Sequence, residues 1–243
     1  GGPLQFAGRL GDDGQVRLSG QGRASLEGLR ALDEPAVLRS LLQPFDGEAD
    51  YRIELGLGRL GTRLAIDSNL VGVRSPLPAP LAKPATQALP LRVRLEPAPD
   101  GAELLRVEAG SVARPLLQVG YLRDAQADGS GTVRRGRIAL GEATVEGQDP
   151  RAWPARGVDA LVALPALSLD RWQQWMHHEA PADWRAGAAA PAAPAPAASS
   201  NASNASSIDP GPLPGRIQLR TERLTLGGRR FDRVEAQLQR DAT

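Results

Sequence analysis

The segment Tyr51-Arg52-Ile53-Glu54-Leu55-Gly56-Leu57 alternates apolar with polar or small residues, and this alternation indicates the fold class of the chain. Successive side chains of a β-strand point to opposite faces, so a period of two is typical of a strand with one apolar face. The same period recurs in residues 89–96, 158–164 and 217–226. Turn signals such as Pro99-Asp100-Gly101 separate these runs. The sequence therefore predicts a predominantly all-β chain whose strands form an antiparallel meander.

The composition narrows the classes of function. The chain has 243 residues, with 29 Lys+Arg against 28 Asp+Glu, and this balance excludes a strongly basic nucleic-acid-binding protein. It has no Cys, which excludes disulfides, a thiol nucleophile and a Cys zinc site. No run of apolar residues is long enough to predict a membrane-spanning helix. Aromatic residues make up only 4 %, which is few for a large globular core.

Three segments interrupt the strand pattern. Apolar spacing after Asp33-Glu34-Pro35 predicts a short helix over residues 35–42. Five prolines in residues 76–90 predict an extended crossing loop. A second short helix is expected over residues 170–178, with Asp170 as a candidate N-cap.

The Ala/Pro/Ser composition of residues 186–212 divides the chain into three parts. This low-complexity segment has too few large apolar residues to bury a core, and we predict a disordered linker. Residues 1–185 before it are expected to form the main β segment, including both short helices. Strand alternation resumes after the linker, so residues 213–243 are expected to continue the sheet.

Two sequence patterns that form cofactor or metal sites in other proteins are better explained in this chain by a structural role. Gly56, Gly58 and Gly61 match the dinucleotide-binding spacing, but a strand pattern follows where that motif needs a helix. A glycine-rich hairpin is the favoured interpretation. His177 and His178 are adjacent, and neighbouring positions on a helix diverge by about 100°, so the two side chains do not readily share a metal ion. We predict no metal site and no cofactor.

Two other groups leave alternatives open. Glu48 and Asp50 share one strand face, and such a pair suits a hydrolase acting on envelope glycans; a solvated polar face explains the pair better. Trp172 and Trp175 lie near the second helix, with Trp184 after it and Trp153 before it. These aromatic residues either contact lipid or plug the end of a β core, and the plug is favoured.

The chain also resembles a known family. The run from Ile66 to Val73 followed by Leu77-Pro78-Ala79-Pro80-Leu81-Ala82-Lys83 resembles a signature of the YhdP group of AsmA-like proteins, and the single Lys of the chain falls on the Lys of that motif. Residues 164–172, which read L-P-A-L-S-L-D-R-W, resemble a second signature of the group. A Ser stands where the group often has Asp before L-D, and residues 186–212 depart from the pattern.

The resemblance implies a function and a location. Members of the group are anchored in the inner membrane of Gram-negative bacteria and extend through the periplasm. They are thought to conduct phospholipids towards the outer membrane along a hydrophobic β-groove. We therefore expect an internal, non-enzymatic segment of such a bridge, with phospholipid and other envelope proteins as partners and no nucleic acid. The anchor is expected to lie outside this chain. A closed β-sandwich that serves as an envelope scaffold is the alternative.

An open groove needs an apolar lining, and the strand pattern suggests its members. The motif-loop residues are Leu77, Pro78, Pro80, Leu81 and Lys83. Which strand face lies inward depends on the register. The expected lining residues are Phe6, Val16, Leu18, Tyr51, Ile53, Leu55, Leu64, Ile66, Leu91, Val93, Val107, Val119, Ile138 and Leu140.

Overall fold

The protein is mostly β-structure. A computed structural model describes residues 5–10, 16–31, 42–59, 61–124, 132–144, 152–182, 185 and 214–239. Within them lie two α-helices, α1 Leu26–Arg30 and α2 Leu169–His178. The strands are β1 Gln5–Leu10, β2 Val16–Ser25, β3 Asp46–Gly58, β4 Gly61–Ser68, β5 Val73–Arg74, β6 Leu91–Pro97, β7 Ala102–Gly110, β8 Pro115–Asp124, β9 Val133–Gly141, β10 Gly157–Leu164, β11 Leu167–Ser168, β12 Arg216–Leu226 and β13 Arg229–Gln239.

The thirteen strands form one large sheet that is not closed into a barrel. Its order is β1-β2-β3-β4-β6-β7-β8-β9-β10-β12-β11, with β13 paired to β12 and β5 to β3. From β1 to β9 every pairing along this order is antiparallel, which is the predicted meander. The hairpin expected at Gly56-Gly58-Gly61 joins β3 to β4.

The sheet becomes mixed beyond β9. Strand β10 is parallel to both β9 and β12, and β11 is parallel to β12. Parallel neighbours cannot be joined by a tight hairpin, because the chain must first return to the starting end of the sheet. Trp153 belongs to the connection from β9 to β10 and is buried against Gly120, on the polar side of the sheet. Strand alternation alone does not reveal such a crossover, so the purely antiparallel expectation applies only to the first part.

Two clusters of buried residues lie at one end of the sheet. Helix α1, the loop of residues 69–90 and helix α2 leave the strands at this end, and we call these three elements the cap. One buried cluster centres on Leu26, Ala49 and Val73. A second cluster centres on Leu77, Trp175 and Ala180. The cap therefore has a protein core of its own, next to the sheet.

The helices differ from expectation in detail. The sequence pattern did not predict helix α1; its N-cap is Ser25, whose Oγ accepts a hydrogen bond from the N–H of Gly28 at 3.1 Å. Helix α2 confirms the second predicted helix, but Ser168 rather than Asp170 is its N-cap. Of the predicted helix over 35–42, residues 35–41 lie outside the described residues, as does the predicted linker 186–212. No helix in the described part of the chain is long and apolar enough to cross a membrane.

Candidate functional site

The strand register joins the apolar faces of separate strands into one surface. Residues opposite each other in a sheet share a face, so a chain of register pairs traces a row across it. One such row crosses ten strands without a polar side chain, and we call the sheet face that carries it the apolar face. The row consists of Gly20, Ile53, Ile66, Val93, Val107, Val119, Ile138, Ala160, Ile217 and Leu238.

The register places all fourteen expected lining positions on this face. Phe6 pairs with Gly20 of the same row, although its side chain lies outside the described part. Leu18, Leu55 and Leu64 form part of the neighbouring row, and Leu91 lies in the row nearest the cap. The remaining members are Val16, Tyr51, Ile53, Ile66, Val93, Val107, Val119, Ile138 and Leu140.

Most of the large side chains on the apolar face are half-buried, whereas Val158 and the small Ala109 and Ala160 on the same face are buried. None of the thirteen lining residues with described side chains belongs to the buried core, and each is half-buried. A residue inside a sandwich or barrel is enclosed from above as well as by its strand neighbours. Here the described buried clusters centre on the cap. A contiguous apolar surface of this extent is typical of a site that contacts a ligand or partner.

The opposite face of the sheet carries ion pairs. Arg94 holds Asp67 through two hydrogen bonds of 2.8 and 2.9 Å, across β6 and β4. Arg92 lies 3.6 Å from Glu108 on β7. These charged side chains alternate along the strands with the apolar residues, so water solvates one face while the other remains apolar.

Glu48 and Asp50, the candidate acid pair, lie on this polar face. Arg23 contacts both carboxylates, at 2.8 Å to Asp50 and 3.4 Å to Glu48. The hydrogen bond from Arg23 lowers the pKa of Asp50, and its positive charge adds to this effect. A general acid at neutral pH needs a raised pKa, so the direction of this shift opposes a role for Asp50 as the acid of a glycan hydrolase.

The motif loop belongs to the cap. Lys83 is buried, with 5 % of its surface exposed, and its ammonium donates hydrogen bonds to the carbonyls of Leu70, Val73 and Pro84 at 2.7, 2.6 and 3.3 Å. Burial lowers the pKa of Lys83. The backbone of Ser75 pairs with that of Lys83 in both directions. Lys83 therefore connects the first part of the loop, residues 70–75, to the segment that follows the motif prolines.

The other motif-loop residues form the contact with α2. Leu77 is buried against Trp175, and Leu81 packs on the same cluster. Pro80 follows a cis peptide bond from Ala79. Pro78 accepts a backbone hydrogen bond from the N–H of Leu81 at 3.0 Å, which closes the turn.

A steric constraint explains why position 72 of the first signature is a glycine. Gly72 has a φ of +100°, and a Cβ there would collide with the carbonyl oxygen of Glu48. Ser68 stabilises this turn, because its hydroxyl donates to the carbonyl of Asp50 and accepts from the N–H of Leu70. The signature therefore describes how β4 passes into the cap.

The aromatic residues divide between the cap and the polar side. Trp172 and Trp175 stack edge to face with ring centroids 6.1 Å apart, inside the cap cluster, which agrees with the plug interpretation. Trp153 lies against Gly120 on the polar side, and Trp184 falls outside the described residues. His177 and His178 are exposed in the last turn of α2. The described residues contain no group of three or more potential metal ligands.

Several residues extend the apolar face beyond those expected from the sequence. Their strands show the same alternation, but only the register of the whole sheet, including the parallel pairing of β10 with β9 and β12, shows that they join the same surface. They are Leu95, Leu105, Leu117, Val158, Val162 and Leu219.

Comparison with known proteins tests the resemblance. Neither the curated proteins nor the solved structures gave a match. A family model described as "YhdP protein" matches residues 1–243, the whole chain. The chain therefore belongs to the YhdP family.

Proposed function

We propose that this chain is a segment of a periplasmic protein that conducts phospholipids between the inner and outer membranes. The observation that carries the proposal is the continuous, largely half-buried apolar face of an open sheet. YhdP family membership supports the same role. The acyl chains would cover the surface that no described element encloses, and this transfer of apolar surface from water is favourable.

The dimensions of the face suit acyl chains. Strand β6 has 7 residues and β8 has 10, which at about 3.3 Å per residue corresponds to roughly 23 to 33 Å. One leaflet of a bilayer has a hydrocarbon depth of about 15 Å. A lipid tail therefore fits within the length of a strand, and successive strands offer it a continuous apolar path.

The chemistry of the face suits movement rather than catalysis. Its side chains are mainly Leu, Val and Ile, which make contacts without direction, so a tail can slide from one strand to the next. We propose passive conduction without covalent chemistry. The full-length protein is proposed to be anchored in the inner membrane of a Gram-negative bacterium, through a part outside this chain.

The proposal is tested by native mass spectrometry of the chain purified from bacterial membranes in mild detergent. We expect phospholipid to co-purify with the unaltered chain. Ile53→Asp combined with Val93→Asp puts two charges in the central apolar row and should abolish most of this lipid. Arg63→Asp is the matched control, because Arg63 is exposed on the opposite face of β4. It should leave the lipid in place.

The alternative function predicts a different result. A well-folded chain without lipid would contradict conduction and favour an envelope scaffold that binds proteins through the same face. Equal loss of lipid in the control and in the apolar-face variant would also contradict it, because the apolar row would then have no special role.

A further inference from the structure

A second site lies at the junction of the cap and β12, and it is cationic. A cavity of about 270 Å³ is lined by Arg171 of α2, Arg223 and Thr225 of β12, and Arg230 of β13. Ser168, the N-cap of α2, completes the polar lining. Three arginines, all of them exposed, and two hydroxyl-bearing residues therefore line one small surface pocket, which we call the arginine pocket.

The positive charge of the arginine pocket is largely uncompensated. The guanidinium groups of Arg171 and Arg223 have no hydrogen-bond or ion-pair partner among the described residues, unlike Arg23 and Arg94 on the polar face. Arg230 lies 3.3 Å from Asp232, in an exposed pair that contributes little. Clustering three like charges without compensation is unfavourable, and a bound anion would offset that cost.

Asp170, the acidic residue next to the pocket, already accepts hydrogen bonds from another part of the chain. Asp170 follows Leu169 in the first turn of α2, and its two carboxylate oxygens accept the N–H groups of Gly227 and Gly228 at 2.6 and 2.8 Å. Among the described residues, no Asp or Glu side chain lines the arginine pocket itself.

We propose that the arginine pocket binds a phosphate group. A guanidinium presents a planar fork of donors that matches phosphate oxygens in pairs. A phosphate carries enough oxygens and charge to engage more than one of these forks, whereas a carboxylate has two oxygens and a single charge. The hydroxyl groups of Ser168 and Thr225 supply further donors.

The position of the pocket connects it to the apolar face. Arg223 and Thr225 lie on β12 beyond Leu219 and Thr221, towards the cap, and Leu219 is part of the apolar face. A phospholipid with its tails on that face would carry its phosphate towards this end. This lipid assignment rests on the proposed function, whereas binding of free inorganic phosphate does not.

The test is calorimetric titration at low salt with two probes. One probe is inorganic phosphate, and the other is dihexanoyl phosphatidic acid below its micelle concentration. Arg171→Gln combined with Arg223→Gln should weaken phosphate binding at least about tenfold, because charge-assisted hydrogen bonds are lost. Arg17→Gln combined with Arg63→Gln is the matched control: it removes the same charge from exposed sites outside the pocket. The control should bind both probes like the unaltered chain.

The two probes identify the source of the phosphate. Arginine-dependent binding of the lipid supports a headgroup site. Arginine-dependent binding of inorganic phosphate alone supports the pocket and overturns the lipid assignment. Equal affinities in the two double variants overturn the pocket altogether.

The apolar-face experiment separates this proposal from the proposed function. If it finds no lipid while phosphate binding still depends on Arg171 and Arg223, the proposed function fails and the pocket stands. If lipid occupies the apolar face and neither probe depends on these arginines, the proposed function stands and the pocket fails.

Discussion

The carboxylate of Asp170 accepts a hydrogen bond from the N–H of Gly227 at 2.6 Å, across 57 positions of sequence. The neighbouring N–H of Gly228 binds the other oxygen at 2.8 Å. Both glycines have a positive φ, 60° and 70°, which is the conformation of a tight hairpin turn. The acid of the second family signature therefore joins the start of α2 to the turn between β12 and β13.

Removing this carboxylate should loosen the last hairpin. We expect Asp170→Ala to lower the free energy of unfolding by about 1–2 kcal/mol, because two charge-assisted hydrogen bonds are lost at a partly exposed site. Asp170→Asn keeps one accepting oxygen, so its free energy of unfolding should lie between those of the unaltered chain and Asp170→Ala. Urea denaturation measures the change, with Glu54→Gln as an exposed control on the polar face. An Asp170→Ala variant as stable as the control would refute the joining role.

Gly72 offers a test of backbone geometry. Gly72→Ala should be strongly destabilising, since its positive φ costs about 1–3 kcal/mol and its Cβ also meets the carbonyl of Glu48. Gly101→Ala is the matched control: its φ is +69°, but a Cβ there meets nothing within 4 Å. In thermal unfolding, we expect the Gly101 variant to lose only the stability that corresponds to the unfavourable positive φ. Equal losses at the two positions would mean that the steric contact at Gly72 is absent.

The reactivity of Lys83, the single lysine of the chain, reports whether the cap is folded. We expect the ε-amine of Lys83 to be protected from acetylation in the folded chain, because it is buried among three carbonyls. Its lowered pKa increases the reactive neutral fraction, so protection would come from burial and not from charge. Peptide mass spectrometry after timed acetylation measures the rate.

The same labelling experiment contains its own comparison. Gly72→Ala should increase the acetylation rate of Lys83, since the loop that encloses the amine is then strained. Gly101→Ala, on the opposite end of the sheet, should leave the rate unchanged. Rapid acetylation of the unaltered folded chain would show that Lys83 is exposed.

Asp50 provides a prediction about pH. The hydrogen bond and charge of Arg23 lower its folded pKa below the usual 3.8. A lowered carboxyl pKa contributes stability above the unfolded pKa, and this contribution is lost as the pH falls through the folded value. Carboxyl NMR titration should therefore find the pKa of Asp50 below 3.8, and Arg23→Gln should raise it. Arg17→Gln, whose arginine makes no contact with Asp50 among the described bonds, should leave it unchanged. A raised pKa in the unaltered chain would reopen the hydrolase alternative.

The local alternation of residues was enough to predict a β-rich chain and the side on which each apolar residue of a strand lies. Tyr51, Ile53 and Leu55 share a face because the side-chain period of a strand is two. The turn at Pro99-Asp100-Gly101 and the helix α2 were also predictable, since their signals lie within a few residues. The two family signatures were visible in the same way.

Only the tertiary structure shows the features that depend on contacts between residues far apart in the sequence. The parallel pairing of β10 with β9 and β12, the union of their apolar residues in one row, and the contact of Asp170 with Gly227 all join segments that local patterns leave independent. Asp170 was a plausible N-cap by its position, but the hairpin turn engages its carboxylate and Ser168 caps the helix instead. Sequence thus determined the faces of each strand, because that property is local. Which faces meet, and which remain open, depends on the register and crossover of the whole sheet.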